Sequence, residues 1–333
     1  MTKFLPMTKI FCILDILAAM MLIMACASPQ AATAQKLQAY HNKDKGGYHF
    51  WLYSPPEKAD TIVLKPQDKG IARPFKSTHS RHEQKQEQHP LILFLHGASL
   101  CGRDLAKVRR YGPLDAIDRG RKVEAYVLAP QNPGGSWNPR KLMKLVEWAS
   151  RTHDIDATRI YVMGMSLGGY GTLDFAAAYP DRIAAAMAIC GGSTTKEHAN
   201  LSRLPLWILH GTADRAVPVS CSDAVVAAMK KAGPTPRLIY SRLKGYNHGQ
   251  PARIFYMSET YKWLLSHRLT DADRPVTTGI TINTTNIPKA YSDLHAKQPM
   301  SVHGRPHVEA LSHEEAGYRP DSTESHFTKH TPR

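Results

Sequence analysis

The sequence predicts an α/β fold: a mostly parallel sheet of about eight strands with helices on both faces. Two observations predict it. Short apolar runs at 91–95, 125–128, 159–163, 184–189, 206–210 and 237–241 are separated by stretches of helical periodicity, clearest at 141–150, 168–178, 222–231 and 254–265. Strands that alternate with helices run parallel, because each helix carries the chain back to the end of the sheet where the last strand began. The second observation is the connection Arg159-Ile160-Tyr161-Val162-Met163-Gly164-Met165-Ser166-Leu167-Gly168-Gly169. An apolar strand enters a small-residue turn that carries one serine and leaves it as a helix. A turn tight enough to lift that serine above the sheet forces it into a strained backbone region and leaves no room for side chains two residues away, so Gly164 and Gly168 have a steric reason to be there.

The remaining elements follow in order. Residues 48–53 and 61–64 read as a hairpin at one edge of the sheet. Residues 72–90 are polar and without period, which predicts an exposed loop ahead of the buried strand 91–95. Its histidines read as solvated, since no ligand geometry is evident among them. The helix after Ser166 stops at Pro180. About 16 residues separate the next strand from the one at 206–210, too few for a lid domain. Residues 271–333, rich in Pro, His, Ser and Thr, predict a disordered tail. The catalytic domain is therefore expected to span 35–270.

Composition narrows the function classes. A chain of 333 residues with 42% apolar content can bury one substantial core. Its formal charge of +15 is spread over the whole length without aromatic interleaving. That argues against nucleic acid as a partner and leaves only a weak, salt-screened attraction to anionic polysaccharide or membrane surfaces. Lys3 and Lys9, an apolar run at 10–27 and the small-x-small sequence Ala32-Thr33-Ala34 predict an export signal over 1–34, and so a periplasmic or secreted protein. Asp15 inside the run disfavours a retained membrane span. A competing reading remains open, because Ile23-Met24-Ala25-Cys26 matches a lipoprotein cleavage box, which would anchor the protein to a membrane through Cys26. Of five cysteines, Cys101, Cys190 and Cys221 lie outside the signal. They imply no disulfide framework, and a Cys190–Cys221 bridge and free thiols are both open. No metal-ligand spacing is present and no cofactor is expected. A dinucleotide reading of the Gly-rich turn fails, since a serine stands where the backbone must approach phosphate.

Serine hydrolysis needs a base, an acid to orient that base, and donors for the oxyanion. The run 206–210 is followed by Gly211-Thr212-Ala213-Asp214, and the last core strand by Gly245-Tyr246-Asn247-His248. Asp214 and His248 thus stand beyond the same sheet edge as Ser166. The chain order Ser166, Asp214, His248 distinguishes this arrangement from two other serine protease folds of like geometry. His96 and His210 each precede a glycine at a strand end and are read as loop supports. The oxyanion donors are expected to be the backbone amides of Leu167, next after the nucleophile, and Ala98 in His96-Gly97-Ala98-Ser99. Trp137 follows a strand end on this edge. It is a candidate substrate contact, for which packing is an equal explanation.

With these residues in place, the chain resembles the alpha/beta-hydrolase superfamily over about 48–267. Leu93-Phe94-Leu95-His96-Gly97, Leu128-Ala129-Pro130-Gln131, Ser166-Leu167-Gly168-Gly169-Tyr170-Gly171 and Leu209-His210-Gly211-Thr212-Ala213-Asp214 are similar to the exported esterases and peptidases near polyhydroxybutyrate depolymerases, feruloyl esterases and dienelactone hydrolases. The resemblance implies carboxylic ester hydrolysis and, in some relatives, peptide hydrolysis. Gly249-Gln250-Pro251 departs from the aromatic neighbour expected in the histidine loop. An open cleft suits a bulky or polysaccharide-linked ester. The alternatives are a serine peptidase of the prolyl-oligopeptidase-like type, which would use the same groups, and a catalytically silent scaffold used for binding.

Overall fold

A computed structural model of the chain describes residues 36–56 and 87–297, together with the backbone of 307–309. Apart from Pro56 these residues belong to one compact unit. The expected export signal, the strand at 61–64 and most of the loop at 72–90 lie outside the described residues.

The sheet is built from β1 (Lys36–Asn42), β2 (His49–Ser54), β3 (His89–Leu95), β4 (Tyr126–Gln131), β5 (Ile155–Met165), β6 (Ala185–Ile189), β7 (Leu206–Gly211), β8 (Leu238–Leu243) and the short β9 (His307–Glu309). Their order across the sheet is β8-β7-β6-β5-β3-β4-β2-β1-β9. Strands β3 to β8 pair in parallel, while β2 is antiparallel to β4 and to β1. The helices are α1 (Pro113–Asp118), α2 (Pro139–Thr152), α3 (Leu167–Ala178), the four-residue α4 (His198–Leu201), α5 (Ser220–Ala232) and α6 (Ser258–Leu265). Among the described residues no helix is long and apolar enough to cross a membrane.

The central strands are apolar along their length because both faces are covered. Successive residues alternate between two cores: Ile92, Phe94, Tyr161 and Met163 belong to one cluster, and Leu91, Leu93, Ile160 and Val162 to the other. Each such buried side chain contributes about 1.5–3 kcal/mol by leaving water. Helix α2 shows how sequence sets a helix: Asn138 caps its start by accepting from the Lys141 amide, Pro139 sits at the first helical position, and Leu142, Leu145, Val146 and Ala149 line its buried face.

The edge hairpin differs from the sequence expectation. It is formed by β1 and β2, joined through a turn containing Gly46 at φ 75°. Strand β1 alternates only loosely between buried and exposed residues, so its period carries little signal.

The expected tail differs more over its described part, 271–297; apart from the backbone of 307–309, the rest of it lies outside the described residues. Residues 268–297 pack on the domain although little of their sequence is apolar. Ile282, Ile287 and Ala290 enter the same core cluster as Phe255 and Tyr256. Several polar groups of the strap find partners: the Leu269 amide donates to the Thr158 carbonyl at 2.9 Å, Arg274 donates through its terminal nitrogens to the carbonyls of Pro180 and Ile183 while its Nε is buried without a partner among the described residues, Asp293 meets Arg121 at 2.7 Å and Lys297 meets Asp115 at 2.6 Å. Average composition missed this because a few well-placed apolar residues suffice when the intervening polar groups find partners.

Candidate active site

Parallel strands end on one edge, so the residues that follow β3, β5, β6, β7 and β8 are gathered there whatever their separation in sequence. Ser166 follows β5 directly, with φ 60° and ψ −121°. An L-residue held in that region costs about 1–3 kcal/mol and is kept there only by its surroundings. Those surroundings are the turn's glycines: a Cβ on Gly168 would collide with the Leu95 carbonyl, and one on Gly164 would meet the carbonyls of Gly168 and Leu95. The Ser166 amide is fixed by donating to the Ile189 carbonyl at 2.9 Å.

Asp214 lies in the loop after β7 with its side chain fully buried. Its Oδ1 accepts from the amides of Ala216 and Val217, each at 2.9 Å, and its Oδ2 accepts from Nδ1 of His248 at 2.6 Å. Burial pushes this carboxyl up, but the His248 and amide hydrogen bonds outweigh it and hold it below the usual carboxylate range. Because Nδ1–H of His248 is committed to Asp214, Nε2 is left as the acceptor. The structure thus joins Asp214 and His248, while no hydrogen bond joins the Ser166 hydroxyl to His248. Such contacts are often long before substrate binds.

The two expected oxyanion amides both stand at helix starts. Leu167 opens α3 and Ala98 opens a 3-10 turn, positions whose N–H groups have no carbonyl within their own helix. Gly97 presses against Ser166, since a Cβ there would stand 3.3 Å from Cβ of Ser166 and 3.1 Å from the Tyr111 hydroxyl. That hydroxyl accepts from the Gly97 amide at 2.6 Å. Tyr111 is buried enough that its own ionisation is pushed up to about 12, so it remains a neutral hydroxyl beside the serine. Nothing in the sequence pattern singles it out.

Trp137 corrects the sequence expectation. It is 4% exposed, its ring fills the space that the absent side chain of Gly171 leaves, and its Nε1–H donates to the His96 carbonyl at 3.2 Å. It packs the loop rather than facing a substrate. His96 is the loop support it was expected to be: its Nε2 accepts from the Asn132 amide at 3.0 Å, and burial lowers its pKa to about 4.

Two further residues surround Asp214. His210 is fully buried, with Nε2 2.8 Å from the Val217 carbonyl and 3.4 Å from Asp214 Oδ2, and Nδ1 2.7 Å from the Ser222 hydroxyl. Cys190 follows β6 at φ 48°, fully buried, with its sulfur within 4.8 Å of an Asp214 carboxylate oxygen. Cys101, Cys190 and Cys221 are all free. His210 was visible in the sequence as a loop residue, but its contact with the acid was not. Cys190 carried no signal beyond its place at a strand end.

A strained serine on a strand–turn–helix elbow, with an Asp–His pair on the same edge of a mostly parallel sheet, is the arrangement of the alpha/beta-hydrolase fold. Residues 136–249, a span that contains Ser166, Asp214 and His248, match the model of the dienelactone hydrolase family. The chain is 31% identical over 122 residues to poly(3-hydroxyalkanoate) depolymerase C of Paucimonas lemoignei, a stretch covering 31% of this chain and 28% of the depolymerase. It is also similar in structure to a thermostable esterase, with a TM-score of 0.53 and 24% identity over 70% of this chain and 63% of that one. The chain therefore spans less than a third of the depolymerase and under two thirds of the esterase.

Proposed function

We propose that this protein is an exported serine hydrolase that cleaves carboxylic esters through an acyl-enzyme. The observation that carries the proposal is the pairing of buried Asp214 with His248 at 2.6 Å on the sheet edge where Ser166 is held in a strained turn. His248 Nε2 takes the Ser166 proton as the hydroxyl attacks the ester carbonyl; Asp214 holds the ring in the tautomer that makes this possible and stabilises the imidazolium. The amides of Leu167 and Ala98 receive the oxyanion. The imidazolium then protonates the leaving alcohol, and water, activated by the same nitrogen, releases the acid.

Ester substrates are favoured by the likeness to the depolymerase and the esterase. The substrate is inferred to be bulky or carbohydrate-linked. The connection from β6 to β7 carries only the four-residue α4, so no lid domain is inserted there to seal the cleft around a small lipid.

The test is hydrolysis of short-chain p-nitrophenyl esters, with a fluorophosphonate probe alongside. Wild type is expected to turn over and label, Ser166→Ala to do neither, and Asp214→Asn to lose about 10⁴ in kcat through loss of the correct tautomer. A folded wild type that neither turns over nor labels refutes the proposal, and cleavage of peptides in place of esters redirects it to a peptidase.

A further inference from the structure

Cys190 has no part in the chemistry above, yet it is held against it. Its Sγ, a carboxylate oxygen of Asp214 and a ring nitrogen of His248 all lie within 4.8 Å of one another. Burial and the nearby Asp214 carboxylate both push the thiol's ionisation up. Its backbone sits in the left-handed region at φ 48°, pinned by the Cys190 amide donating to the Leu209 carbonyl at 2.9 Å. A thiol and an imidazole therefore flank one buried carboxylate.

We propose that Cys190, Asp214 and His248 form an inhibitory site for a thiophilic divalent cation, with Zn²⁺ the best fit to the donor set. One thiolate, one imidazole and one carboxylate are ligands that zinc accepts in tetrahedral geometry. Calcium and magnesium, which require six or more oxygens, are poorly served. The exchange balances without any redox step: Zn²⁺ forms bonds to Sγ, to the carboxylate and to Nδ1 of the imidazole, the thiol proton leaves to solvent, and the Nδ1 proton is exchanged through solvent for one on Nε2, so the imidazole stays neutral and one proton is released. A water completes the fourth position.

The geometry requires one adjustment. Tetrahedral ligand atoms stand about 3.3–3.7 Å apart, whereas His248 Nδ1 and Asp214 Oδ2 are 2.6 Å apart. The ring must withdraw by about an ångström, and His248 is the one member with access to solvent, its side chain 28% exposed while that of Asp214 is fully buried. With Nδ1 on the metal, the imidazole no longer sits in the position set by Asp214 and Ser166 loses its base. The inhibitory effect rests on the function proposed above; binding does not. No linear motif announces the site, because its ligands come from the ends of three different strands.

The experiment is zinc binding by calorimetry and X-ray absorption on wild type, Cys190→Ala and Cys190→Ser, with turnover measured in parallel. Wild type is expected to bind one equivalent with a sulfur scatterer at about 2.3 Å and to lose turnover, regained on adding a chelator. Loss of a second-shell partner alone weakens metal sites by about 10–100-fold, so removing the thiolate should weaken this one by about 100-fold or more and abolish the sulfur signal, with metal-free turnover retained. The serine variant, nearly isosteric, serves should the alanine variant fold poorly. Zinc bound to wild type without sulfur, or equally by the cysteine variants, overturns the proposal. That outcome would place the metal on other histidines. Zinc bound as described to a wild type that never turns over upholds the site and refutes only the catalytic reading.

Discussion

Replacing Ser166 by glycine should remove the proposed nucleophile and stabilise the fold. The serine occupies φ 60° and ψ −121°, a conformation that glycine adopts freely and an L-residue does not, at a cost of about 1–3 kcal/mol. Glycine loses about 0.5–1 kcal/mol through the greater freedom of the unfolded chain. At the middle of both ranges the net gain is about 1 kcal/mol, which for a domain of this size raises the melting temperature by about 2–4 °C. Ser166→Ala is the control. It removes the hydroxyl but keeps the Cβ and hence the strain, so it should melt close to wild type. The assay is thermal unfolding by circular dichroism for the three proteins side by side, with fluorophosphonate labelling to verify that both variants are inactive. If the glycine variant melts at or below the alanine variant, the elbow is not strained and the argument from its geometry to its function fails.

Other consequences follow from the same structure. Ile287 is fully buried in the strap that follows α6, so Ile287→Ala should cost about 2–5 kcal/mol in chemical denaturation; a disordered tail would show no effect. Stability should fall in mild acid. His96 is held neutral with its pKa lowered to about 4, so below its ordinary value of 6.5 the unfolded chain takes up a proton that the folded chain refuses. Its contribution is complete above about pH 6.5 and is lost as pH falls toward 4, up to about 3 kcal/mol, with His210 and His267 shifted in the same direction. Urea midpoints measured between pH 7 and pH 4 test this, and a flat profile refutes it. Asp214 adds a further loss at lower pH, as its depressed carboxyl is finally protonated.

The sequence by itself determined the parallel core and the elbow. Both faces of β3, β5, β6 and β7 are buried, so these strands read as apolar runs, and helical periods between them leave few alternatives. Gly164 and Gly168 are legible because the backbone contacts they permit lie within or beside the same turn. Tertiary structure alone decided the rest. The strap at 268–297 looks unstructured in composition, and only the surfaces it meets show that Ile282, Ile287 and Ala290 have somewhere to go. Trp137 reads equally as a substrate contact or as packing until Gly171 is seen to leave room for its ring. Cys190, His210 and Tyr111 have no pattern at all, since their meaning lies in which strand ends are neighbours. Periodicity records whether a residue is buried, a property of its own element; which residues share a strand edge depends on sheet order, which local sequence does not encode.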